Sequence, residues 1–90
     1  MKTEQAATLA IRALGFLAAD DDLLGRFLGA TGMEPAELRA GADDPAVLAG
    51  VLDFLLADEP LLLQFCQAER LRPEEPARAR ALLPGFMPRD

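Results

Sequence analysis

Few residues in this chain of 90 could do chemistry. It contains no His, Ser, Asn, Tyr or Trp. Without imidazole there is no Ser–His or Cys–His nucleophile pair, no carrier for protons near neutral pH, and no nitrogen ligand for zinc. The one thiol, Cys66, follows Leu63 and Phe65 with no base beside it, which reads as a packed, unreactive cysteine. A single cysteine also excludes an intramolecular disulfide and fits a reducing compartment.

Carboxylates are the remaining candidates, in the runs Asp20-Asp21-Asp22, Asp43-Asp44 and Asp58-Glu59. A calcium loop alternates acidic ligands around a central glycine, and none of these runs does. Each falls where a helix should begin, and there free backbone N–H groups and the positive end of the dipole stabilise a carboxylate and repel a cation. A carboxylate pair acting as glycosidase-like acid and base needs a cleft, for which so small a domain has little room. No phosphate-cradling loop is visible. Gly25, Gly29 and Gly32 recur at three- and four-residue intervals, predicting close helix packing instead. The expectation is a protein with no enzymatic activity, no cofactor and no metal.

The elements that position these residues are helices. Strong helix formers dominate, and runs of β-branched and aromatic residues are missing. Thr3 can cap a first helix through about residue 19. Asp20 or Asp21 caps a second that runs to residue 30 and stops at Gly32, and Pro35 opens a short third that ends near Gly41. Asp44 caps and Pro45 opens a fourth through residue 57. Asp58 caps a fifth from 59 to about 69, and Pro73 opens a sixth that ends before Pro84. Pro60 and Pro76 fit within first turns, where a missing N–H leaves no internal bond unmade.

This order repeats. Residues 9–41 moved forward by 38 positions lie on 47–79 without a gap and share eleven identities, against about four expected by chance. Leu14, Phe16 and Leu17 meet Leu52, Phe54 and Leu55, while Phe27 and Pro35 meet Phe65 and Pro73. The fold expected is all-α: one domain over residues 1–90, a small bundle of five or six helices built from a tandem 38-residue repeat. Unit one covers about 6–41, unit two about 44–79, and an apolar tail follows at 82–90.

Hydropathy suggests where a partner could bind. Residues 6–19 carry only Arg12 as a charge and residues 45–57 only Asp53, so both helices are apolar almost all round. Such helices are buried on every side, and two equivalent ones would pack together at the centre. Any apolar strip left over is a docking surface. The candidates are Leu48, Leu55, Leu56 and Leu63, with Phe86 and Met87 of the tail, which serves either as a core plug or as a docking peptide.

Charge narrows the partner classes. The net charge is −6, the wrong sign for attraction to phosphates or anionic lipid. Residues 70–90 nonetheless carry five arginines against three acids. The second helix, the turn at Gly32 and the short third helix echo a helix-turn-helix. In the second half, the equivalent short helix carries Arg78 and Arg80, the one plausible DNA-facing element. Charged residues interrupt every apolar stretch before it reaches the length of a membrane span.

The strings Leu9-Ala10-Ile11-Arg12-Ala13-Leu14-Gly15-Phe16-Leu17-Ala18 and Val51-Leu52-Asp53-Phe54-Leu55-Leu56-Ala57-Asp58-Glu59-Pro60-Leu61-Leu62 resemble a small bacterial family classed only as a domain of unknown function. Its members look like short, single-domain helical proteins of alphaproteobacteria, and the resemblance spans roughly residues 6–85. It implies an all-helical cytosolic protein and supplies no activity, ligand or catalytic residue. The function expected is a non-catalytic protein–protein interaction module of the cytoplasm, binding another protein or itself. The alternative is a helix-turn-helix-like, DNA-associated regulator.

Overall fold

Six helices follow one another in a computed structural model that describes residues 1–85: α1 (Thr3–Ala18), α2 (Asp21–Thr31), α3 (Pro35–Ala40), α4 (Pro45–Leu56), α5 (Glu59–Glu69) and α6 (Glu75–Ala81). No strand occurs among the described residues.

Local chemistry sets most of the helix starts. Asp20 accepts the N–H groups of Asp22 and Leu23 at 2.9 and 3.2 Å, Asp44 that of Ala46 at 2.9 Å, and Asp58 that of Leu61 at 3.2 Å. Each carboxylate satisfies donors that a helix start leaves unpaired. α1 begins differently from the expectation. Lys2, not Thr3, is its N-cap, and the Gln5 carboxamide accepts the Lys2 N–H at 2.7 Å.

α6 also departs from the expectation, starting at Glu75 rather than Pro73. A helix opened at Pro73 would place Pro76 fourth, where a backbone N–H must reach the carbonyl of Arg72. Proline has none. The chain instead turns tightly, with the Glu75 N–H on the Arg72 carbonyl at 3.0 Å and the Arg72 N–H on the Glu75 carboxylate at 2.6 Å.

The core lies between α1 and α4, with α6 packed across both. α1 contributes Ala6, Ala10, Ala13 and Leu17, a ridge at i, i+4, i+7 and i+11, together with Leu9. Three alanines in that ridge let neighbouring helices approach closely. α4 contributes Leu48, Val51, Leu52 and Leu55, and Phe27, Phe65, Ala79 and Leu83 fill the flanks. Phe16 meets Phe65 edge-on at 5.4 Å between centroids, and Phe27 meets Phe54 at 5.5 Å. Such pairs add about 0.5–1.5 kcal/mol beyond the area they bury.

Glycine does its work where the chain must turn. Gly32 ends α2 at φ +73, a left-handed conformation that side chains resist. Gly41 lies so close to α4 that an added Cβ would sit 2.9 Å from Val47 Cγ2. Gly25 and Gly29 face open space, contrary to the close packing expected of them. α2 buries its Phe27 face instead.

Candidate functional site

The candidate surface expected from hydropathy is divided by the fold. Leu48 and Leu55 are 1 % and 0 % exposed and belong to the core, so they line no docking surface. α4 is enclosed by α1, α2, α5 and α6, and its all-round apolar character is used up in packing. Leu56 is half-buried, and Leu63 on α5 stays 44 % exposed. Phe86 and Met87 lie outside the described residues, while Leu83 of the same tail is buried in the core.

Further exposed apolar surface lies on α1. Ile11 is 50 % exposed, Leu14 is half-buried and Ala18 is exposed. Their i, i+3, i+7 spacing puts them on one stripe, turned away from the Ala6–Leu17 ridge. The stripe runs into a groove of about 230 Å³, where Leu14 and Ala18 face Leu24 and Leu28 of α2, Pro35, Leu38 and Arg39 of α3, and Ala42. The wall on the α3 side is thin. α3 shares no extensive interface with another helix and is held by Leu38, its one buried residue. The groove is smaller than the roughly 300–1,000 Å³ of pockets that take drug-sized ligands. It lies between that range and the ~150 Å³ engineered cavity that holds one benzene ring.

A wider cleft, about 550 Å³, opens between the first half of α1 and the chain entering α6. Glu4, Thr8, Arg12, Glu75 and Arg78 are among its lining residues, but several already have partners. Arg12 donates to the Glu69 carboxylate at 2.9 Å and the Glu69 carbonyl at 2.7 Å. The Thr8 hydroxyl donates to the Glu4 carbonyl at 3.0 Å, and the Glu75 carboxylate accepts the Arg72 N–H at 2.6 Å in the turn before α6. The cleft presents no activated nucleophile.

Arg80, read from sequence as DNA-facing, is in fact the buried charge of the fold. Its side chain is 11 % exposed and donates from Nε to Asp53 at 2.6 Å. Nη1 donates to the carbonyls of Pro84 at 3.1 Å and Leu83 at 3.4 Å. This guanidinium ties the chain after α6 to α4 and is not available to phosphate, whereas Arg78 is exposed. Hydropathy patterning gives no sign of this role, because the partner is 27 residues away.

Cys66 is 3 % exposed, and its thiol donates to the Arg72 carbonyl at 3.8 Å. Burial pushes this thiol above its ordinary pKa, and the Glu75 and Glu74 charges add to the shift. A thiol held in its neutral form is a poor nucleophile. Among the described residues no three His, Cys, Asp or Glu side chains are grouped to hold a metal, and no helix is long and apolar enough to cross a membrane.

Against known families, residues 3–86 match the model described as "Protein of unknown function (DUF3572)". The chain belongs to the DUF3572 family. No curated protein and no solved structure matches it. The membership covers all six helices, and so both the core and the α1–α2–α3 groove are parts of the family's domain.

Proposed function

We propose that this DUF3572 protein is a non-catalytic docking module of the cytoplasm, and that it takes a protein partner in the groove between α1, α2 and α3. The observation that carries the reading is the second apolar stripe of α1. Ile11, Leu14 and Ala18 continue into Leu24, Leu28 and Pro35; Ile11, Ala18 and Pro35 are exposed, the three leucines are half-buried, and Leu38 lies buried beneath them. Helix-in-groove recognition uses such a surface, taking side chains spaced i, i+3 or i+4 on the partner. A volume near 230 Å³ suits one or two such anchors better than a cofactor. The cytoplasmic assignment is supported by the free cysteine.

The test is affinity capture from the native lysate, followed by calorimetry with the purified partner. Ala18→Leu fills the groove from an exposed position, and Leu28→Lys places a charge in it. A protein that binds the natural chain and loses about tenfold or more in affinity for a folded Ala18→Leu supports the reading, since tenfold is about 1.4 kcal/mol. Equal binding to all three chains refutes it. Duplex DNA enters as a control for the alternative, which retains Arg78 but not Arg80 as an exposed cation. Duplex binding that weakens with salt and disappears in Arg78→Ala would replace the docking reading.

We also infer that the domain consists of two copies of one three-helix unit. Support comes from the 38-residue offset of α2 and α5 (21–31 and 59–69). The same offset exchanges the Phe16–Phe65 pair with the Phe54–Phe27 pair. It carries cap Asp20 onto cap Asp58, and Gly32 onto Arg70, both left-handed. The groove falls where the copies differ: Ala18 and Leu28 line it in the first, where the second has Leu56 and Cys66.

A further inference from the structure

We propose that the cleft between the first half of α1 and the chain entering α6 binds a small free zwitterion, an apolar amino acid or dipeptide with both ends unblocked. This cleft shares no lining residue with the α1–α2–α3 groove, so the proposal stands apart from the docking reading. Its volume of about 550 Å³ falls within the roughly 300–1,000 Å³ of pockets that take small molecules.

The lining carries both signs of charge in equal number. Glu4 and Glu75 stand against Arg12 and Arg78, a net of zero within a chain of −6. Glu4 and Arg78 are exposed, and no ion pair among the described residues uses either. They line one cleft without meeting, which leaves a carboxylate and a guanidinium to be bridged. The other two charges are spent in part on the fold. Arg12 is fixed by Nε on the Glu69 carboxylate at 2.9 Å and by Nη2 on the Glu69 carbonyl at 2.7 Å, which leaves Nη1 to give. Glu75 accepts the Arg72 N–H on one carboxylate oxygen at 2.6 Å and keeps the other.

Donors and acceptors separate the two ends of the ligand. Thr8 follows Glu4 by one turn on the same side of α1, and its hydroxyl proton is committed to the Glu4 carbonyl at 3.0 Å. Only the lone pairs of that hydroxyl are left, so Glu4 and Thr8 together accept, and an ammonium, which only donates, is their complement. Arg78 and the free Nη1 of Arg12 only donate, and a carboxylate is theirs. Leu9, 4 % exposed, and the half-buried Leu71 give the ligand's side chain an apolar floor.

This lining selects against other small molecules. A phosphate or a plain organic anion meets Glu4 and Glu75, and a plain cation meets Arg12 and Arg78. A hydrocarbon strips water from four charges and returns nothing to them. A zwitterion with an aliphatic side chain satisfies the acids, the arginines and the floor at once.

The probe is leucyl-leucine added to the full chain, with binding mapped by NMR and affinity read by calorimetry. Shifts are expected at Glu4, Thr8, Leu9, Leu71 and Arg78, and binding should weaken as salt rises. N-acetylation removes the ammonium and C-amidation the carboxylate. Each should lower affinity about threefold, the scale of an exposed charge pair, and both together about tenfold. Arg78→Gln should cost the free dipeptide about threefold and the amide nothing further, and Glu4→Gln should do the same for the acetylated form. Both residues are exposed, so the variants keep the fold. Ala18→Leu, in the groove, should leave dipeptide binding unchanged.

A blocked dipeptide that binds as well as the free one would overturn the proposal, and so would undiminished binding to Arg78→Gln. Shifts confined to Leu14, Leu24 and Leu28, or a loss of dipeptide binding in Ala18→Leu, would move the ligand to the groove and overturn it as well. A dipeptide that shifts none of the cleft residues ends the proposal while leaving the docking reading untouched.

Discussion

Removing Asp53 should destabilise the domain more than removing Arg80, although Asp53 is the exposed member of their pair. The Arg80 side chain is 11 % exposed and that of Asp53 57 %. Arg80→Met keeps an apolar stem in place and gives up the ion-pair hydrogen bond to Asp53 and two longer guanidinium bonds to backbone carbonyls. The carboxylate it leaves behind is already in water. A charge-assisted hydrogen bond is worth about 1.5–3 kcal/mol net, and the partly wet partner and retained stem put this loss at about 1–2 kcal/mol. Asp53→Ala strands a buried guanidinium with only the Leu83 and Pro84 carbonyls for company. Breaking a fully buried pair in this way costs about 3–5 kcal/mol, and the exposure of Asp53 reduces that to about 2–3 kcal/mol.

The double variant Asp53→Ala/Arg80→Met should be no worse than Arg80→Met alone, because no stranded charge remains. That makes a coupling of about 2–3 kcal/mol, well above the ~0.3–0.5 kcal/mol within which independent sites add. Urea unfolding followed by circular dichroism at neutral pH measures all four corners of the cycle. A single transition with unchanged m-values licenses the comparison. For a domain of this size the Asp53→Ala loss corresponds to a fall in Tm of about 10–20 °C. A cost below about 0.5 kcal/mol for Asp53→Ala would refute the burial argument. So would single costs that simply add.

Two further outcomes follow from backbone and thiol chemistry. Arg70 ends α5 at φ 56 where Gly32 ends α2 at φ 73, so Arg70→Gly should raise stability by about 0.5–1 kcal/mol and Gly32→Ala should lower it by about 1 kcal/mol, both read by thermal unfolding. Folding raises the pKa of Cys66, so its contribution is fully present below the ordinary thiol pKa and is lost as pH climbs through the raised one. Stability above about pH 9 should therefore decline more steeply in the natural chain than in Cys66→Ala, and parallel alkaline limbs would count against a buried neutral thiol.

What was legible in the sequence is what local chemistry decides. Asp20, Asp44 and Asp58 read as caps because a carboxylate beside a run of free N–H groups has few better uses, and Pro35 and Pro45 mark first turns for the same reason. The start of α6 could have been read as well, since Pro76 has no N–H to give a helix opened at Pro73. Arg80 could not. Its burial depends on Asp53 on another helix and on two carbonyls of the chain that follows, and nothing in the string Ala77-Arg78-Ala79-Arg80 separates the exposed arginine from the buried one.

The burial of Leu48 and Leu55 was hidden for a related reason. Periodicity identifies α1 and α4 as helices with more apolar surface than one core face requires, but it cannot say which has a spare face. That depends on the neighbours. Around α4 they are α1, α2, α5 and α6, and the surplus of Leu48 and Leu55 becomes core. Beside the C-terminal half of α1 the next wall is α3, six residues long and held by Leu38. So short a helix, whose one buried residue Leu38 belongs to the groove's own lining, leaves Leu14 half-buried and Ala18 exposed. The open groove thus follows from the shortness of α3. Lengthening or re-anchoring α3 should close it, and any binding that depends on the groove should disappear with it.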